Sequence, residues 1–386
     1  MTDVIIAGIG QTPVGEHWDL GLRDLALDAM QAAIIDSGGM RPQALYVGNM
    51  LAPNLSNQAH LGVLLADNAN MTGLEAVTLE AAGASGGAAL RQGYLAVASS
   101  LVDVVLVVGV EKFTDRVGPK IDAALATASD SDFEAVQGLT PTAQAAMLMR
   151  RYMHEYSVPP DGLAGFALTA HANGVGNPNA MFRDAIQPET YSKAAIINEP
   201  LRQLDIAPNA DGAAAVVLAR GQLLPKGASG PHVMISGSAS TVDTLSLHDR
   251  ADLLQFEACR LSAEKALQQA GASLDMIDLF EYHDAYSIYA ALSLEAVGFA
   301  ERGCGWRLAA EGHIARNGRI PTATMGGLKA RGSPGGATGV YQAVEATMQL
   351  QGRAGSNQIT DAACALIQSV GGPATTVITH VLRTSA

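Results

Sequence analysis

Three short segments of the chain carry the side chains that are best suited to chemistry. Residues 77–90 (VTLEAAGASGGAAL) have the form of a strand, a tight turn of small residues and the start of a helix. His283 and Tyr286 stand close together in the run HDAYS, which follows an apolar run, and Ser333 lies in the glycine-rich run GSPGGATG. An imidazole and a phenol in one segment can polarise a carbonyl oxygen and transfer a proton, which is acid–base chemistry.

Alternating strand-like and helical runs must position these segments in the first half of the chain. Short apolar runs at residues 4–9 and 103–110 predict strands, and the second of them has the continuous apolar character of a strand that is covered on both faces. Apolar residues at helical spacing predict a helix at 22–37, which Gly38 and Gly39 end. The other predictions for this half are strands at 44–49 and 77–82 and helices at 58–66 and 86–99.

The second half of the chain repeats this order of elements. It predicts strands at 233–240, 276–281, 364–370 and 375–382 and helices at 253–269 and 337–351. The elbow sequence GASGGAALRQGYLAV of the first half also parallels GSPGGATGVYQAVEA in the second. Alternating strands and helices predict mostly parallel sheets covered by helices, and two copies predict a duplicated architecture with a pseudo-twofold axis.

The region between the halves, roughly residues 114–203, breaks this alternation. It contains several methionines and tyrosines followed by HANGVGNPNAMF, and we predict a largely helical insertion. Two interpretations are open: a surface domain in which the methionines fill the core, or a lid over a substrate tunnel. The predicted domains are therefore residues 1–225, which include the insertion, and residues 226–386.

Composition and spacing argue against several classes of function. A net charge of −13 with no basic run disfavours nucleic-acid binding. The three cysteines, Cys259, Cys304 and Cys364, have no disulfide or zinc spacing, and His248 and His313 are too isolated to predict a metal site. The run GSPGGATG lacks the Lys-Ser/Thr ending of a phosphate loop, so nucleotide hydrolysis is not expected.

The apolar runs of the chain do not predict a membrane protein. The first residues, MTDVIIAGIG, place an aspartate before a short apolar run and are typical of a buried strand rather than a signal peptide. No apolar stretch reaches the roughly 18 residues that a membrane-spanning helix needs. We therefore expect a cytoplasmic protein.

Motifs along essentially the whole chain resemble those of the thiolase superfamily. In family order they are LRDLALDAM, YVGNML, EAAGASGGAAL, VVGVEKFTD, NADGAAAVVLA, EYHDAYS, GGLKARGSPGGATG and SVGGPATTVITHVL. The resemblance is to the sterol-carrier-protein-type thiolases and their archaeal and bacterial thiolase-like relatives. It implies an α/β thiolase fold, which is a duplicated five-layer αβαβα arrangement with an inserted helical loop domain. It also implies a homodimer and a CoA thioester as substrate, with no other cofactor.

The resemblance implies four catalytic stations, and this chain departs from the family at three of them. Gly83 stands where the family has its nucleophilic cysteine, and Ser333 replaces the histidine of the GHP motif. His283 matches the histidine of the HDCF-type motif, which supports an oxyanion hole. Ser369 matches the second, acid–base cysteine, which sterol-carrier-type relatives often lack as well. Because glycine offers no nucleophile and a serine hydroxyl is no base near neutral pH, we do not expect covalent thiolase chemistry through cysteine.

The favoured hypothesis is a thiolase-like aldolase that acts on an acyl-CoA by retro-aldol chemistry. Relatives without the cysteine include enzymes that cleave side chains from sterol-type acyl-CoA together with small OB-fold (DUF35-type) partner proteins. In this chain His283 would polarise the thioester oxygen, and Tyr286 would act as acid or base. Further candidates for contact with the substrate, each with a structural role as the alternative, are Ser85, His171, Tyr341 and Ser369.

Two other hypotheses stay open at this point. The first is a non-catalytic subunit that binds acyl-CoA or lipid, or acts as a scaffold in a complex, because the glycine-rich elbow leaves space for a pantetheine chain. The second is an acetyl-CoA acyltransferase of unusual mechanism. Its nucleophile would have to come from Ser85, although that serine matches the ordinary CASG motif of the family and favours a structural role.

Overall fold

A computed structural model describes residues 3–223 and 231–385. Within these residues the strands are β1 Val4–Gln11, β2 Ala44–Gly48, β3 Glu75–Leu79, β4 Val104–Glu111, β5 Ile196–Asn198, β6 Leu201–Arg202, β7 Gly212–Arg220, β8 Val233–Val242, β9 Leu279–Glu281, β10 Cys364–Gly371 and β11 Thr376–Thr384. The helices are α1 Leu22–Asp36, α2 Ala52–Leu55, α3 Leu61–Asn68, α4 Ser85–Ala98, α5 Gly118–Ala126, α6 Pro141–Glu155, α7 Ala164–Gly174, α8 Pro188–Ser192, α9 Glu257–Ala270, α10 Ser287–Val297, α11 Gly305–Ala310 and α12 Thr338–Leu350, with a π-helical turn at Gly327–Arg331.

The sheet shows the predicted duplication. In the described part of the chain nine strands follow the order β3-β2-β4-β7-β1-β8-β11-β10-β9. Read outwards from the centre, β1-β7-β4-β2 in the first half corresponds to β8-β11-β10-β9 in the second. In both halves the first two pairings are antiparallel and the third is parallel. The two halves meet where β1 and β8 pair over only two residue positions.

The prediction of mostly parallel sheets is wrong, because each half combines parallel and antiparallel pairs. A strand that returns through a tight turn must run antiparallel to its neighbour, whereas a parallel neighbour needs a long crossover. The four residues 372–375 connect β10 to β11, so these strands form a hairpin. The first-half counterpart, β7, pairs antiparallel with β4 after the long insertion.

Three hydrophobic clusters arrange helices and strands in five layers. Helices α1 and α3 cover the outer face of the first-half strands, and α9 and α10 cover the outer face of the second-half strands. Between the two sets of strands lie α4 and α12, which contact both halves. Along β4, Leu106 packs toward the outer helices and Val107 toward the central ones. This alternation explains the continuous apolar sequence, since both faces of the strand are buried.

The region between β4 and β7 contains α5, α6, α7, α8 and the small hairpin β5-β6, in keeping with the predicted largely helical insertion. Met149 is fully buried in the core that α6 shares with the second half, whereas Met147 is exposed. The predicted domain boundary at 225/226 lies outside the described residues. No helix within residues 3–223 or 231–385 is long and apolar enough to cross a bilayer.

Candidate active site

One cavity of about 130 Å³ lies where the two halves and the insertion meet. Its lining includes Gly83 from the first-half elbow, His283 and Tyr286 from the loop after β9, and Ser333 from the loop before α12. The insertion contributes Thr142 at the start of α6 and residues of α5. The four side-chain positions that the resemblance and the HDAYS motif identify as catalytic candidates are therefore brought together in space.

The elbow that carries Gly83 is a tight turn between β3 and α4. Ala82 adopts a φ of 49°, an unusual conformation for a residue with a side chain, and the amides of Ala84 and Ser85 donate to the carbonyl oxygens of Ala81 and Ala82 at 3.0 and 3.1 Å. The predicted strand, turn and helix are thus confirmed. The turn presents the backbone at Gly83 to the cavity.

The backbone around Gly83 is packed closely enough to disfavour a side chain. A Cβ atom placed on Gly83 would lie 2.7 Å from the carbonyl oxygen of Val370 and 3.4 Å from Nε2 of His283. The first distance is too short for carbon and oxygen, so a cysteine here requires the end of β10 or the elbow to move. The second distance shows that the imidazole edge faces the space above Gly83.

We expect Gly83→Cys to lower the free energy of unfolding by about 1–3 kcal/mol, because the new side chain overpacks the elbow against Val370. Chemical denaturation measures this change. Gly15→Cys is the matched control, since a Cβ atom at Gly15 meets nothing within 4 Å. Equal stability of the two variants would show that the elbow accommodates a cysteine without strain.

His283 is buried and neutral. Burial, with a smaller contribution from the positive charge of Arg331, lowers the pKa of His283 to about 3. Its Nδ1 atom has no hydrogen-bond partner among the described residues. A neutral imidazole can donate one hydrogen bond into the cavity, as an oxyanion hole requires.

Tyr286 is buried beside His283 and remains protonated near neutral pH. Burial raises the pKa of Tyr286 to about 12, and its hydroxyl lies 3.2 Å from Oγ1 of Thr142. The ring packs edge-on against Tyr289, with 5.0 Å between ring centroids. These contacts fix the phenol at the cavity wall, where it can donate a hydrogen bond or a proton.

A short segment of backbone, residues 206–210, holds the His283 loop and the Ser333 loop together. The amide of Ala207 donates to the carbonyl oxygen of Ala285 at 2.8 Å. On the other side, the amide of Ser333 donates to the carbonyl oxygen of Pro208 at 2.9 Å. Backbone hydrogen bonds of this kind set the spacing between the two loops with little dependence on side chains.

Asp284 adds a side-chain connection between the same two loops. Its Oδ1 atom accepts a hydrogen bond of 2.7 Å from the amide of Leu328. The approach requires glycine at 327, since a Cβ atom there would lie 2.7 Å from both carboxylate oxygens. Near these residues, Arg331 and Glu345 form an ion pair of 2.6 Å with both side chains buried. The hydrogen bond of Asp284 and this ion pair thus stabilise the backbone that carries the His283 loop and the Ser333 loop.

The other four candidates for substrate contact do not line this cavity. Ser85 donates to the carbonyl oxygen of Ala82 at 2.6 Å and accepts from the amide of Ala81 at 2.9 Å, so its hydroxyl stabilises the elbow. Ser369 donates to Oε1 of Gln342 at 2.9 Å. Both serine hydroxyls are therefore engaged in hydrogen bonds within the protein.

His171 and Tyr341 are likewise placed elsewhere. The His171 ring stacks on Phe182, with 5.8 Å between centroids, in the interior of the insertion. The Tyr341 hydroxyl donates to the carbonyl oxygen of Thr12 at 3.0 Å between α12 and the first-half strands. Burial raises the pKa of Tyr341, and the guanidinium of Arg331 lies 4.9 Å from its ring centroid. Neither side chain lines the cavity, and their contact with substrate stays a prediction.

Most of the lining residues were not predicted from the sequence. Among them are Thr142, Asp122 on α5 and Asn209 in the segment that joins the two loops. The start of α6, the helix that carries Thr142, could be predicted, because Thr140 and Pro141 are typical of a helix N-terminus. In the structure the Thr140 side chain accepts a hydrogen bond of 3.2 Å from the amide of Ala143. That signal locates the helix but not the cavity that it faces.

No cysteine lines the cavity. Cys259 and Cys364 are buried, Cys304 is half-buried, and all three are free thiols outside the lining. Burial raises the pKa of Cys259 to about 12, which removes its nucleophilic character. In the part of the chain that the structure describes, no three His, Cys, Asp or Glu side chains are grouped as a metal site would require. The polar side chains of the cavity are thus an imidazole, several hydroxyls, the carboxyl group of Asp122 and the amide of Asn209.

Comparison with protein families identifies this arrangement. The thiolase N-terminal domain matches residues 4–222, and the thiolase C-terminal domain-like family matches residues 239–384. The chain belongs to the thiolase superfamily. The duplicated sheet is therefore that of a thiolase fold, as the motifs predicted.

Individual proteins are similar to this chain in sequence or in structure. The thiolase-fold chain is 41% identical over 383 residues to a protein named acetyl-CoA acetyltransferase from Methanothermobacter thermautotrophicus, which covers 99% of each chain. It is 25% identical over 401 residues to sterol carrier protein 2 of Gallus gallus, covering 97% of this chain and 71% of that protein. A solved structure described as the Ltp2-ChsH2(DUF35) aldolase superposes with a TM-score of 0.85 and 24% identity over 99% of this chain and 98% of that chain. This last likeness shows the fold.

Proposed function

We propose that the protein binds an acyl-CoA thioester in this cavity and makes or breaks a carbon–carbon bond without a covalent acyl-enzyme. The observation that carries the proposal is the joint placement of Gly83, His283 and Tyr286 around one cavity that no thiol lines. A neutral imidazole and a protonated phenol suit aldol chemistry, which needs hydrogen-bond donors rather than a nucleophile.

The reaction can be followed through these two groups and the carboxyl group of Asp122, which lines the cavity near Tyr286. In the condensation direction Asp122 takes a proton from the carbon next to the thioester carbonyl, and His283 donates a hydrogen bond to the resulting enolate oxygen. The enolate carbon attacks an aldehyde or ketone carbonyl, the Tyr286 hydroxyl gives its proton to the oxygen that becomes the β-hydroxyl, and the proton held by Asp122 restores the phenol. In cleavage Tyr286 passes its proton to Asp122 as it takes the proton of the β-hydroxyl, the carbon–carbon bond breaks, and the enolate carbon takes the proton from Asp122.

The proposal also includes protein partners. The fold neighbour with the TM-score of 0.85 is described as an aldolase with a DUF35 component. We therefore propose a small OB-fold, DUF35-type partner for this chain, together with a homodimer in the cytoplasm. Apart from the CoA thioester substrate, the proposed reaction uses no cofactor.

Two alternatives each rest on one observation. An acyl-CoA-binding or scaffold subunit is favoured because His283 and Tyr286 both stay neutral near pH 7, so neither of them is a strong base. An acetyl-CoA acyltransferase is favoured by the name of the relative at 41% identity. The acyltransferase requires a nucleophile, and the Ser85 hydroxyl is engaged within the elbow outside the cavity lining.

Calorimetric titration with CoA and a panel of acyl-CoA and β-hydroxyacyl-CoA thioesters, followed by product analysis, tests the proposal. Saturable binding with production of a shorter acyl-CoA and an aldehyde or ketone supports it. The titration is repeated with a DUF35-type partner, if one is encoded nearby. Binding without turnover in both settings would indicate the carrier or scaffold.

We expect the pH dependence of kcat/KM to show no titration of His283 or Tyr286 between about pH 5 and pH 10. The reason is that burial lowers the pKa of His283 to about 3 and raises that of Tyr286 to about 12, so both stay neutral throughout this range. Initial rates at a series of pH values measure the profile. A limb near pH 6.5 that disappears in His283→Gln would contradict a neutral, desolvated imidazole.

A further inference from the structure

We infer that the acyl part of the substrate is short, at most about six carbon atoms or one six-membered ring, and that a sterol nucleus is excluded. This inference rests on the proposed function, since it assigns the cavity to the acyl group. A cavity of about 130 Å³ is slightly smaller than the engineered cavity of about 150 Å³ that holds one benzene molecule in another protein. A fused four-ring system is several times larger than benzene.

The lining combines polar and apolar side chains. His283 lies beside Gly83, where the thioester carbonyl must sit for the proposed chemistry, and further polar residues of the lining are Asp122, Thr142, Asn209, Tyr286 and Ser333. The larger apolar groups of the lining are the side chains of Met50, Phe113, Leu125, Ile206 and Val370 and the ring of Tyr289. An acyl chain that extends from the thioester along the wall formed by these groups buries its methylene groups against them, which favours a hydrocarbon chain or ring.

Two aromatic residues make this wall rigid. Phe113 is buried at the end of β4 in a cluster with Leu51 and Leu55. A Cβ atom placed on Gly335 would lie 3.0 Å from its ring, so the backbone before α12 leaves the phenylalanine little room to turn. On the other side, Tyr289 is buried and packs edge-on against Phe256 at 5.5 Å between centroids. Close packing of this kind resists enlargement of the cavity by rotation of one side chain.

The experiment measures binding separately from turnover. Dissociation constants are determined for straight-chain β-hydroxyacyl-CoAs of four to sixteen carbons and for a thioester with a steroid acyl group. Affinity should rise up to about six carbons and then fall steeply, with no saturable binding of the steroid thioester. Wild-type protein that binds the sixteen-carbon or steroid thioester as tightly as the six-carbon one overturns the inference.

Phe113→Ala should increase the length of the longest acyl chain that the protein binds. The eight-carbon thioester is expected to bind about tenfold more tightly to this variant than to wild type, as the burial of two further methylene groups predicts. Phe166→Ala is the matched control, because Phe166 is as deeply buried but does not line the cavity. If Phe113→Ala fails to fold, Leu125→Ala replaces it, since Leu125 is only half-buried. An unchanged length limit in the folded variant contradicts the assignment of this wall.

The outcomes also separate the inference from the proposed function. Binding that falls with acyl length, without any product, would support the limit on acyl length and contradict the aldol reaction. Turnover of long-chain and steroid thioesters would support the aldol reaction and contradict the limit on acyl length. Absence of binding to every thioester overturns both.

Discussion

Replacement of His283 by alanine is expected to lower kcat/KM for carbon–carbon bond cleavage by about 10²–10³, the cost of removing one oxyanion-hole donor. The imidazole edge faces the space above Gly83, and burial keeps the ring neutral, with the pKa of His283 near 3. A neutral donor in a desolvated site stabilises the enolate oxygen more than the thioester carbonyl, so the loss should appear mainly in kcat. Steady-state kinetics with a short β-hydroxyacyl-CoA measure it.

His171→Ala is the matched control for this variant. Burial also lowers the pKa of His171, but its ring stacks on Phe182 and does not line the cavity. We expect this variant to lose stability and to keep its kcat/KM. If both histidine variants lower activity to the same extent, or if His283→Ala retains full activity, the assigned role of His283 is wrong.

Replacement of Tyr286 by phenylalanine is expected to lower kcat by about 10²–10⁴, the usual contribution of a positioned general acid. The substitution removes only the hydroxyl that bonds Thr142 at 3.2 Å and keeps the ring against Tyr289. Thioester binding should therefore remain close to that of wild type. Calorimetry for binding and product analysis for turnover provide the two readings.

Tyr341→Phe provides the comparison for Tyr286→Phe. The Tyr341 hydroxyl donates to the carbonyl oxygen of Thr12 in the core, so its loss should reduce the free energy of unfolding by about 1 kcal/mol while activity is kept. An opposite result, with activity lost in Tyr341→Phe and kept in Tyr286→Phe, would place the reaction outside the cavity described above.

The sequence predicted most strands and helices because their periodicity is strong. The order of elements in both halves, the elbow and the insertion followed from that pattern. Helix α10, Ser287–Val297, was missed because apolar residues occupy all of its faces, which removes the one-sided periodicity that marks a surface helix. The strand directions were also missed, since alternation alone does not distinguish a crossover from the hairpin between β10 and β11.

The candidate site was predictable only in part. The resemblance placed Gly83, His283 and Ser333 at catalytic stations, and the structure brings all three to one cavity. The sequence did not show which of Tyr286 and Tyr341 lines the cavity, because both follow glycine- or aspartate-containing turns. Only the tertiary packing decides where each hydroxyl points. Thr142 lies 144 positions from Tyr286 in the chain, so no local pattern could pair them.

The volume of the cavity is the least predictable property, because it depends on how rigid side chains from three regions pack together. Phe113 follows β4, Leu125 belongs to the insertion, and Tyr289 belongs to the second half. Each appears in the sequence as an ordinary apolar residue. Only their convergence on one cavity gives them the role in substrate choice that we infer.

The most direct test of cysteine-independent chemistry is intact-protein mass spectrometry of the wild-type chain, quenched during turnover of a short β-hydroxyacyl-CoA. We expect products to accumulate while the mass of the protein stays unchanged, because no thiol lines the cavity to accept the acyl group. A protein species that is heavier by the mass of the acyl group, and that forms and decays in step with turnover, would contradict this account.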